Sequence, residues 1–347
     1  MNTRHPTISV VIPCRNEEKN ISSCLDSIIN CDFPLEDMEI IVVDGMSEDG
    51  TRDVLLEYSS LYPFVRVFKN PKKITPAGLN LGIRESQGKY VVILGSHSLV
   101  DRNFLRLSVE GLDRYDVECV GGQIVTMQSG QGVMAGSISL ALSSPFGIGN
   151  ASFRINPRQI RHVDTVPFGC YRREVFKKGE NLFDEELIRN QDDEFNLRLR
   201  KNGGKILLIP NIRTYYFPRG TLLKLWRMYY QYGYFKPLVA KKIKSVLTWR
   251  QLVPAIFLCC LFAAGAISLA EKNLVFLSPV AGSYLAAGLL FSFHISVKKG
   301  MRHLLVLPLV FATIHFSYGL GYLKGIFDFI LLKKNERTKM CDIPLTR

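Results

Sequence analysis

ISVVIPCRNEEKNISSCLDSII, residues 8–29, begins the alternation of strands and helices that decides the fold of this chain. The β-branched run ISVVI stops at Pro13, and the residues up to Ile29 place apolar side chains on one helical face. The same order recurs through the next 65 residues, with further strands predicted at 39–43, 64–68 and 90–94 and helices at 49–58 and 75–86. This alternation predicts an α/β fold, Rossmann-like, with a mostly parallel sheet that helices cover on both faces.

Polar residues follow three of the predicted strands. In open α/β sheets, ligands bind beyond the carboxyl ends of the strands. The residues to consider at those ends are Arg15 to Glu17, Asp44, and the run Gly95 to Ser98. The sequence therefore predicts a ligand site that these loops build together.

Apolar residues are concentrated in the C-terminal third. The chain has 347 residues and a mean hydropathy of +0.09, and residues 251–332 are almost continuously apolar. We predict apolar segments at 252–270, 274–295 and about 304–330, of which the first two are long enough to cross a hydrocarbon core of about 30 Å. The third contains three glycines, and it either spans, turns back or lies in the interface.

Charge indicates the orientation of these segments. The net charge is +13, and a basic cluster lies next to the first apolar segment. Such a cluster is typical of a segment that contacts the anionic cytoplasmic leaflet of a membrane. The linker SVKKGMRH is also basic, which predicts that it and residues 1–250 are cytoplasmic. The predicted organisation is a multi-pass protein of the cell membrane with four parts: a cytoplasmic domain (1–235), a juxtamembrane segment (236–250), a membrane domain (251–332) and a basic tail (333–347).

Other classes receive no support from the sequence. Neither a zinc finger nor an aromatic-basic RNA motif is present, so nucleic acid is not an expected partner. The eight cysteines show no metal-like spacing and are read as reduced thiols. The apolar run at the N-terminus is too short for a signal peptide.

Residues 128–150 are either a mobile loop or an amphipathic helix near the membrane. The aromatic and basic run 221–234 suits a membrane interface, a sugar platform or a packed helix face.

Three acids stand together in NQDDEFNLRLRKNGG, residues 190–204. Apolar and basic residues alternate behind them, and Gly203 and Gly204 predict the end of a helix. The acids therefore lie in its first turn, where the helix dipole favours negative charge. They are either an acidic cap or they include a catalytic base.

Six motifs in order resemble a family 2 glycosyltransferase with the GT-A fold, and more narrowly the membrane-anchored succinoglycan-biosynthesis type. They are VVIPCRNEE (10–18), IIVVDGMSEDGT (40–51), PAGLNLGI (76–83), GKYVVILGSHS (88–98), VPFGCYRREVF (166–176) and NQDDEFNLRLRKNGGKI (190–206). The resemblance implies an inverting enzyme that uses a nucleotide-sugar, with UDP favoured, and that adds a hexose. It implies that Asp192 is the base. It places the donor beside Pro13, Arg15, Glu17, Asp44, Asn80, Gly95 and Ser96.

One motif departs from that family pattern. Where the family has Asp-x-Asp or Asp-x-His for a metal that bridges the donor diphosphate, this chain has Gly95, Ser96 and His97. A hard divalent ion, magnesium or manganese, prefers oxygen ligands. Three interpretations follow. His97, diphosphate and water hold the metal; or basic side chains neutralise the leaving group; or the protein binds donor without good turnover.

The acceptor is less well specified. The resemblance and the membrane segments together predict a lipid-linked sugar, with Asp193, Arg219 and Gln231 as candidates for contacts to acceptor or phosphate. The Gln-x-x-Arg-Trp motif of processive members is not matched at residues 231–235, which favours one sugar per encounter. The alternative is a catalytically impaired membrane protein that binds nucleotide-sugar or scaffolds an assembly complex. Nucleotidyl transfer is disfavoured, since no Gly-rich, Lys-bearing phosphate loop is present.

Overall fold

A computed structural model describes residues 5–149, 151–177, 182–244 and 249–333 of this protein. The predicted basic tail from residue 334, part of the juxtamembrane segment (245–248) and Cys341 lie outside the described residues. The chain forms two compact units. The first comprises Met1–Val125 and Asn156–Tyr216, and the second comprises Thr126–Ile155 and Phe217–Arg347.

A nine-stranded mixed sheet organises the first unit in the described part of the chain. Its strands are β1 Ile8–Cys14, β2 Met38–Asp44, β3 Val65–Lys69, β4 Tyr90–Ile93, β5 Ser98–Val100, β6 Cys119–Thr126, β7 Arg161–His162, β8 Cys170–Arg172 and β9 Ile206–Tyr216. The order is β3-β2-β1-β4-β8-β6-β9-β5, and β7 pairs with β9. The first four strands in this order are parallel, whereas β8 is antiparallel to β4.

The described helices flank this sheet or form the second unit. They are α1 Ile21–Ile29, α2 Thr51–Leu61, α3 Thr75–Glu85, α4 Phe104–Arg114, α5 Val133–Ala141, α6 Pro145–Ile148, α7 Glu174–Lys177, α8 Gln191–Lys201, α9 Leu222–Ile243, α10 Trp249–Ala270, α11 Leu277–Lys299 and α12 Leu307–Gly325. Short 3₁₀ turns lie at Leu35–Asp37, Ser152–Arg154 and Met301–His303, and a π-helical turn Ile326–Leu331 follows α12.

Burial of the central strands explains why this sheet forms. Strand β1 lies between β2 and β4, with Val11 opposite Ile41 on one side and Ile93 on the other. Every residue of β2 is buried, and so is every residue of β1 except Pro13. Strands that helices cover on both faces are largely apolar, as these are apart from Ser9, Glu39 and Asp44. The predicted α/β sheet and its first four strands are confirmed. The prediction that the sheet is mostly parallel is wrong, because the strands that follow β4 in the sheet order pair antiparallel, as β8 does with β4 and β5 with β9.

Two boundaries differ from the prediction. The helix predicted directly after β1 begins only at Ile21, because residues 15–20 form a loop in which Asn16 has a φ of 52°. The apolar run KILLI predicts a strand at 205–209, but the strand extends to Tyr216, since its second half pairs with β5. The first difference leaves a polar loop at the carboxyl end of β1, and the second joins β5 to the sheet.

The second unit contains the apolar C-terminal third and an insertion from the middle of the chain. Helices α5 and α6 of that insertion share a core with α9 and α12, in which Leu142 and Leu225 are fully buried. Residues 128–150 therefore include helices, and the predicted domain boundary at residue 235 falls inside α9. Within α9, Tyr234 and Gln231 are buried, as in the packed-face interpretation of this segment.

Of the three predicted apolar segments, the first two are exposed helices and the third is largely buried. Helices α10 and α11 are long and apolar enough to cross a membrane, and among the described helices they alone meet that test. They expose large apolar side chains, including Val253, Phe262, Leu285 and Leu290. The third segment forms α12, which is largely buried because it packs along α9.

Candidate active site

The loops after β1 and β2 are bonded to each other at the carboxyl edge of the sheet. The N–H of Asn16 donates to the Ser47 hydroxyl at 2.9 Å, and Asn16 Oδ1 accepts from the N–H of Glu48 at 2.9 Å. The N–H of Glu17 donates to Thr51 Oγ1 at 2.8 Å. These bonds give the polar residues that follow the two central strands a fixed position.

Asp44 ends β2 as a buried carboxylate. Its Oδ1 accepts from the N–H of Ser47 at 3.0 Å and from the Ser47 hydroxyl at 2.6 Å. Its Oδ2 accepts from the Arg52 guanidinium at the longer distance of 3.3 Å. The bonds to Ser47 are those of an Asp turn after a strand. An ionised carboxylate oxygen accepts more than one hydrogen bond, so Oδ2 can also accept from a ligand.

Arg15 and Pro13 border the same edge. Arg15 donates to Glu48 at 3.5 Å, but its Nε is buried and has no hydrogen-bond partner among the described residues. A buried N–H without a partner costs free energy, so this guanidinium is suited to donate to an anionic ligand. A Cβ on Gly78 would lie 3.3 Å from Pro13 Cβ. The small residues of α3 therefore let that helix approach the sheet.

The loop after β4 brings an aromatic ring to the position where the family pattern expects an acid. A Cβ on Gly95 would lie 3.2 Å from Phe168 Cε1 and 3.6 Å from Ser98 Oγ. The Ser98 hydroxyl is buried and has no partner in the described part of the chain. Ser96 is also buried. Phe168, in left-handed backbone with a φ of 49°, thus borders the space that a side chain at position 95 would use.

His97 faces Glu17 across this edge. Its Nδ1 lies 3.7 Å from Glu17 Oε1, and its ring meets that of Tyr216 edge-on at a centroid distance of 6.0 Å. No group of three or more metal-binding side chains occurs among the residues that the structure describes. One carboxylate oxygen and one imidazole nitrogen suit a divalent ion whose other ligands come from diphosphate and water. The donor set at this edge therefore fits the implied metal.

Helix α8 carries the acid cluster. Asp192 is exposed in its first turn, whereas Glu194 is buried and accepts from Arg198 at 2.7 Å. Glu194 is therefore the partner of an i,i+4 ion pair on the helix, and Asp193 is half-buried. The helix ends at Lys201 and Gly203 has a φ of 87°, which confirms the glycine stop.

An aromatic cluster fixes α8 against β8. Phe195 stacks on Phe183 with centroids 4.6 Å apart and meets Tyr171 of β8 edge-on at 5.5 Å. The Tyr171 hydroxyl donates to Asn196 at 2.9 Å. Burial raises the pKa of Tyr171 well above its usual value, and the negative charge of nearby Asp192 raises it further. The start of α8 thus has a defined place beside the sheet.

Asn80 has partners that the sequence did not indicate. It is buried on α3, where its Oδ1 accepts from the N–H of Phe183 at 2.9 Å. Its amide nitrogen donates to the carbonyl of Phe183 at 2.9 Å and to Glu185 at 3.2 Å. The amide therefore binds the segment that leads into α8, rather than facing an open cleft.

The remaining two candidates belong to the second unit. Arg219 is half-buried just before α9, and Gln231 is buried within that helix. The other predicted site residues belong to the first unit, on the loops after β1, β2 and β4 and on helices α3 and α8.

Comparison with known proteins identifies the family. Residues 9–179 match the family model described as Glycosyl transferase family 2. The dolichyl N-acetyl-alpha-D-glucosaminyl phosphate 3-beta-D-2,3-diacetamido-2,3-dideoxy-beta-D-glucuronosyltransferase of Methanococcus voltae is 31% identical over 326 residues, which cover 92% of this chain and 97% of that one. The chain belongs to glycosyl transferase family 2. This family 2 enzyme is also 25% identical to the succinoglycan biosynthesis protein ExoA of Rhizobium meliloti, over 92% of this chain and 95% of that one.

Solved structures identify the fold of this family 2 glycosyltransferase as GT-A. The mannosyltransferase PcManGT from Pyrobaculum calidifontis superposes with a TM-score of 0.58 at 17% identity, covering 94% of this chain and 88% of that one. Residues 1–349 of S. aureus TarS give a TM-score of 0.52 at 17% identity, covering 95% and 93%. The GT-A fold and the glycosyltransferase class expected from the six motifs are confirmed.

Three features of the site have no signal in the sequence. The approach of Phe168 to Gly95, the pairing of Glu17 with His97 and the binding of residues 183–185 by Asn80 each join positions far apart in the chain. The motif VPFGCYRREVF places Phe168 just before a strand, but it does not show that the ring lies beside Gly95. The other two depend on which loops the sheet brings together.

Proposed function

We propose that this glycosyltransferase is an inverting enzyme that moves one sugar from a nucleotide-sugar, with UDP favoured, to a lipid-linked acceptor in the synthesis of a cell-surface glycan. The observation that carries the proposal is the position of Asp192. It is an exposed carboxylate in the first turn of a helix that aromatic packing holds, while its neighbour Glu194 is committed to Arg198. A general base must be fixed and must reach the acceptor hydroxyl.

The donor side uses the edge formed by the loops after β1, β2 and β4. Uracil N–H and ribose hydroxyl groups are donors, and Asp44 offers an acceptor there. Arg15, whose Nε has no partner within the part of the chain that the structure describes, donates to the anionic part of the donor. Pro13 and Ser96 line the proposed donor site at this edge. Solved structures of the same fold hold UDP-GlcNAc, in S. aureus TarS, or GDP-Man with Mn²⁺, in PcManGT, which supports a nucleotide-sugar as the class of ligand.

A magnesium or manganese ion bound at Glu17 and His97 would neutralise charge that develops on the departing diphosphate. The chain's own residues do the rest. Asp192 takes the proton of the acceptor hydroxyl as that oxygen attacks the anomeric carbon and the bond to the nucleoside diphosphate breaks. Attack opposite the leaving group inverts the anomeric configuration. Asp193, Arg219 and Gln231 remain candidates for contacts to the acceptor or its phosphate.

Two helices that could cross a membrane support a lipid-linked acceptor. Helices α10 and α11 are apolar and have 22 and 23 residues. At 1.5 Å per residue they are about 33 to 35 Å long, enough to cross a hydrocarbon core of about 30 Å. The relative from Methanococcus voltae is named for a dolichyl N-acetylglucosaminyl phosphate. We propose a multi-pass protein of the cell membrane, with the first unit in the cytoplasm.

The test is a screen of nucleotide-sugars against membrane fractions that contain lipid-linked oligosaccharide, run with the wild type, Asp192→Asn and a control, Asp116→Asn. Asp116 is an exposed acid that pairs with Lys205 outside the site. Loss of a general base should lower the transfer rate by about a hundredfold or more, with UDP binding unchanged. The Asp116 variant should match the wild type. Transfer by Asp192→Asn at the normal rate would remove Asp192 from the mechanism.

A second candidate is a catalytically impaired relative that binds nucleotide-sugar or scaffolds an assembly complex. The observation that favours it is Gly95, whose missing acid is bordered by the Phe168 ring. Hydrolysis of the donor by purified protein distinguishes the two. An active enzyme releases UDP at a rate that depends on Asp192, whereas an impaired one releases none in either variant.

A further inference from the structure

Two neighbouring strands bring a carboxylate and an imidazole to one point. Strands β1 and β4 pair in parallel, with Val11 opposite Ile93, so their carboxyl ends lie side by side. Glu17 follows β1 by three residues and His97 follows β4 by four. Their facing atoms, Oε1 and Nδ1, are 3.7 Å apart. Both side chains are partly accessible, with 18% of Glu17 and 41% of His97 exposed, so a ligand can reach them.

The Glu17 side chain is held with its Oε1 toward His97. The other carboxylate oxygen, Oε2, accepts from the Asn20 amide at 2.8 Å. The backbone N–H of Glu17 donates to Thr51 at 2.8 Å, which fixes the residue relative to the loop after β2. Metal-binding carboxylates are commonly oriented by such hydrogen bonds from neighbouring side chains.

The separation suits two ligands of one ion. Carboxylate oxygen and imidazole nitrogen lie about 2.1 Å from a small divalent cation. Two such atoms at angles of 90 to 120° are about 3.0 to 3.6 Å apart. The observed 3.7 Å is close to this range, and a small rotation of the exposed imidazole covers the difference.

Two other acids at this edge have side-chain partners of their own. Asp44 binds Ser47 and Arg52. Glu48 lies 3.5 Å from Arg15 and 3.8 Å from Lys73. At position 95 there is no side chain to contribute an oxygen.

We propose that Glu17 and His97 together are the protein ligands of the divalent ion, with Glu17 supplying the carboxylate that Gly95 lacks. This inference rests on the proposed function, because the donor diphosphate supplies further oxygen ligands. It gives Glu17 a role in metal binding in place of the direct contact to the nucleotide that the family resemblance implies. The ion would then be bound by the loops after β1 and β4 together, and not by the β4 loop alone.

The experiment measures Mn²⁺ binding to the full-length protein in detergent, using Mn²⁺ alone and Mn²⁺ with UDP as probes. Electron paramagnetic resonance reports free Mn²⁺, and spin-echo modulation reports a coordinated imidazole nitrogen. Variants are Glu17→Gln, which retains an acceptor for Asn20, and His97→Ala. The control is Glu48→Gln, which removes a neighbouring exposed acid. Thermal unfolding confirms that each variant is folded, and Glu17→Asp, which retains the charge, serves as a second variant.

We expect the wild type to show nitrogen modulation and His97→Ala to lose it. Glu17→Gln should weaken Mn²⁺ binding by about tenfold or more, while Glu17→Asp binds Mn²⁺ more tightly than Glu17→Gln and Glu48→Gln matches the wild type. UDP affinity measured without metal should be the same in all variants, which separates this test from failure of the donor site itself. Equal Mn²⁺ affinity in Glu17→Gln and the wild type would overturn the proposal. So would wild-type binding of Mn²⁺ without nitrogen modulation, or UDP affinity that Mn²⁺ does not change.

Discussion

Asn80 was expected beside the donor, but its hydrogen-bond partners suggest a different role. Its amide bonds to Phe183, and Phe183 stacks on Phe195 of α8, which carries Asp192. A side chain on the donor-side helix α3 thus positions the helix of the proposed base. We expect it to affect turnover more than donor binding.

Asn80→Ala tests this positioning role. The change leaves the N–H and C=O of Phe183 without their partner, at a cost of about 2 to 3 kcal/mol in the free energy of unfolding. Displacement of α8 should lower kcat by about tenfold or more, with the donor KM changed little. Asn30→Ala, which removes an exposed amide at the end of α1, is the control and should leave both unchanged. A raised donor KM at unchanged kcat would instead place Asn80 against the nucleotide.

Gly95 and Phe168 should be coupled as a pair. A Cβ at position 95 lies 3.2 Å from the Phe168 ring, so Gly95→Asp must displace that ring. We expect Gly95→Asp to destabilise the protein by about 1 to 3 kcal/mol. Adding Phe168→Leu, which shortens the side chain, should recover part of the loss, since contacting residues are not additive.

Thermal unfolding of both single variants and the double variant measures this coupling. The double variant, with a carboxylate and room for it, should also bind Mn²⁺ with UDP more tightly than the wild type. Additive changes in stability would show that the Phe168 ring does not oppose a side chain at position 95.

For single residues, the sequence indicates which side chains could act chemically better than it indicates which residues they contact. Asp44 and Asp192 became site candidates through their motifs, since Asp44 directly follows a predicted strand and Asp192 lies at the start of a predicted helix. The role of Asn80 was not found, because an amide that binds a ligand and an amide that binds a loop look alike in a sequence. Burial and the identity of its partner decide between the two.

Among the elements, α9 and α12 are joined by contact between their backbones. A Cβ on Gly321 would collide with the carbonyl of Tyr230, and one on Gly233 would collide with the carbonyl of Tyr318. Small residues at such contacts let two helix backbones approach closely. Of the three glycines in the third apolar segment, Gly321 and Gly325 let α12 approach α9, whereas Gly319 faces α10.

Gly321→Ala should therefore destabilise the second unit. Its methyl group meets backbone atoms that cannot rotate away, so we expect a loss of about 2 kcal/mol or more. Gly265→Ala in α10 is the matched control and should be tolerated, because among the described residues nothing beyond its own helical backbone lies within 4 Å of the added methyl. Thermal unfolding in detergent compares the two. Equal unfolding temperatures would mean that the α9–α12 contact adapts to a side chain.

The third apolar segment shows that a helix is easier to predict than its surroundings. Composition predicted a long apolar helix there, and α12 with its π-helical turn fills most of that range. A helix that other helices bury and a helix that lipid surrounds have similar compositions. Val310 and Phe311 are fully buried, whereas Leu285 and Leu290 of α11 are exposed, and only the packing separates these cases.

Across the whole molecule, the order of the chain does not follow the order of its units. After β6 the chain leaves the first unit, contributes α5 and α6 to the second, and returns before β7. Within the second unit Ser137 bonds to His303 at 2.8 Å, and the Phe146 carbonyl lies 2.7 Å from His315 Nε2. Partners more than 160 residues apart leave no periodic signal, so the sequence indicated only a loop or helix there.

The proposed membrane topology follows from charge at the ends of α10 and α11. Arg250 lies at the start of α10, and Lys298 and Lys299 lie at the end of α11. Two consecutive spans return the chain to the side where it began, so these basic ends share one side. The positive-inside rule makes that side cytoplasmic, and residues 271–276 then face the exterior.

Cysteine labelling tests this arrangement. A membrane-impermeant maleimide should label Lys272→Cys in intact cells, because that residue lies between the two helices. It should label Lys299→Cys only in inverted vesicles. The wild type is the control for native thiols, of which Cys259 and Cys260 lie within α10. Labelling of both variants from the cytoplasmic side alone would mean that α10 and α11 re-enter or lie along the membrane, because a pair of full spans requires the turn between them to cross it.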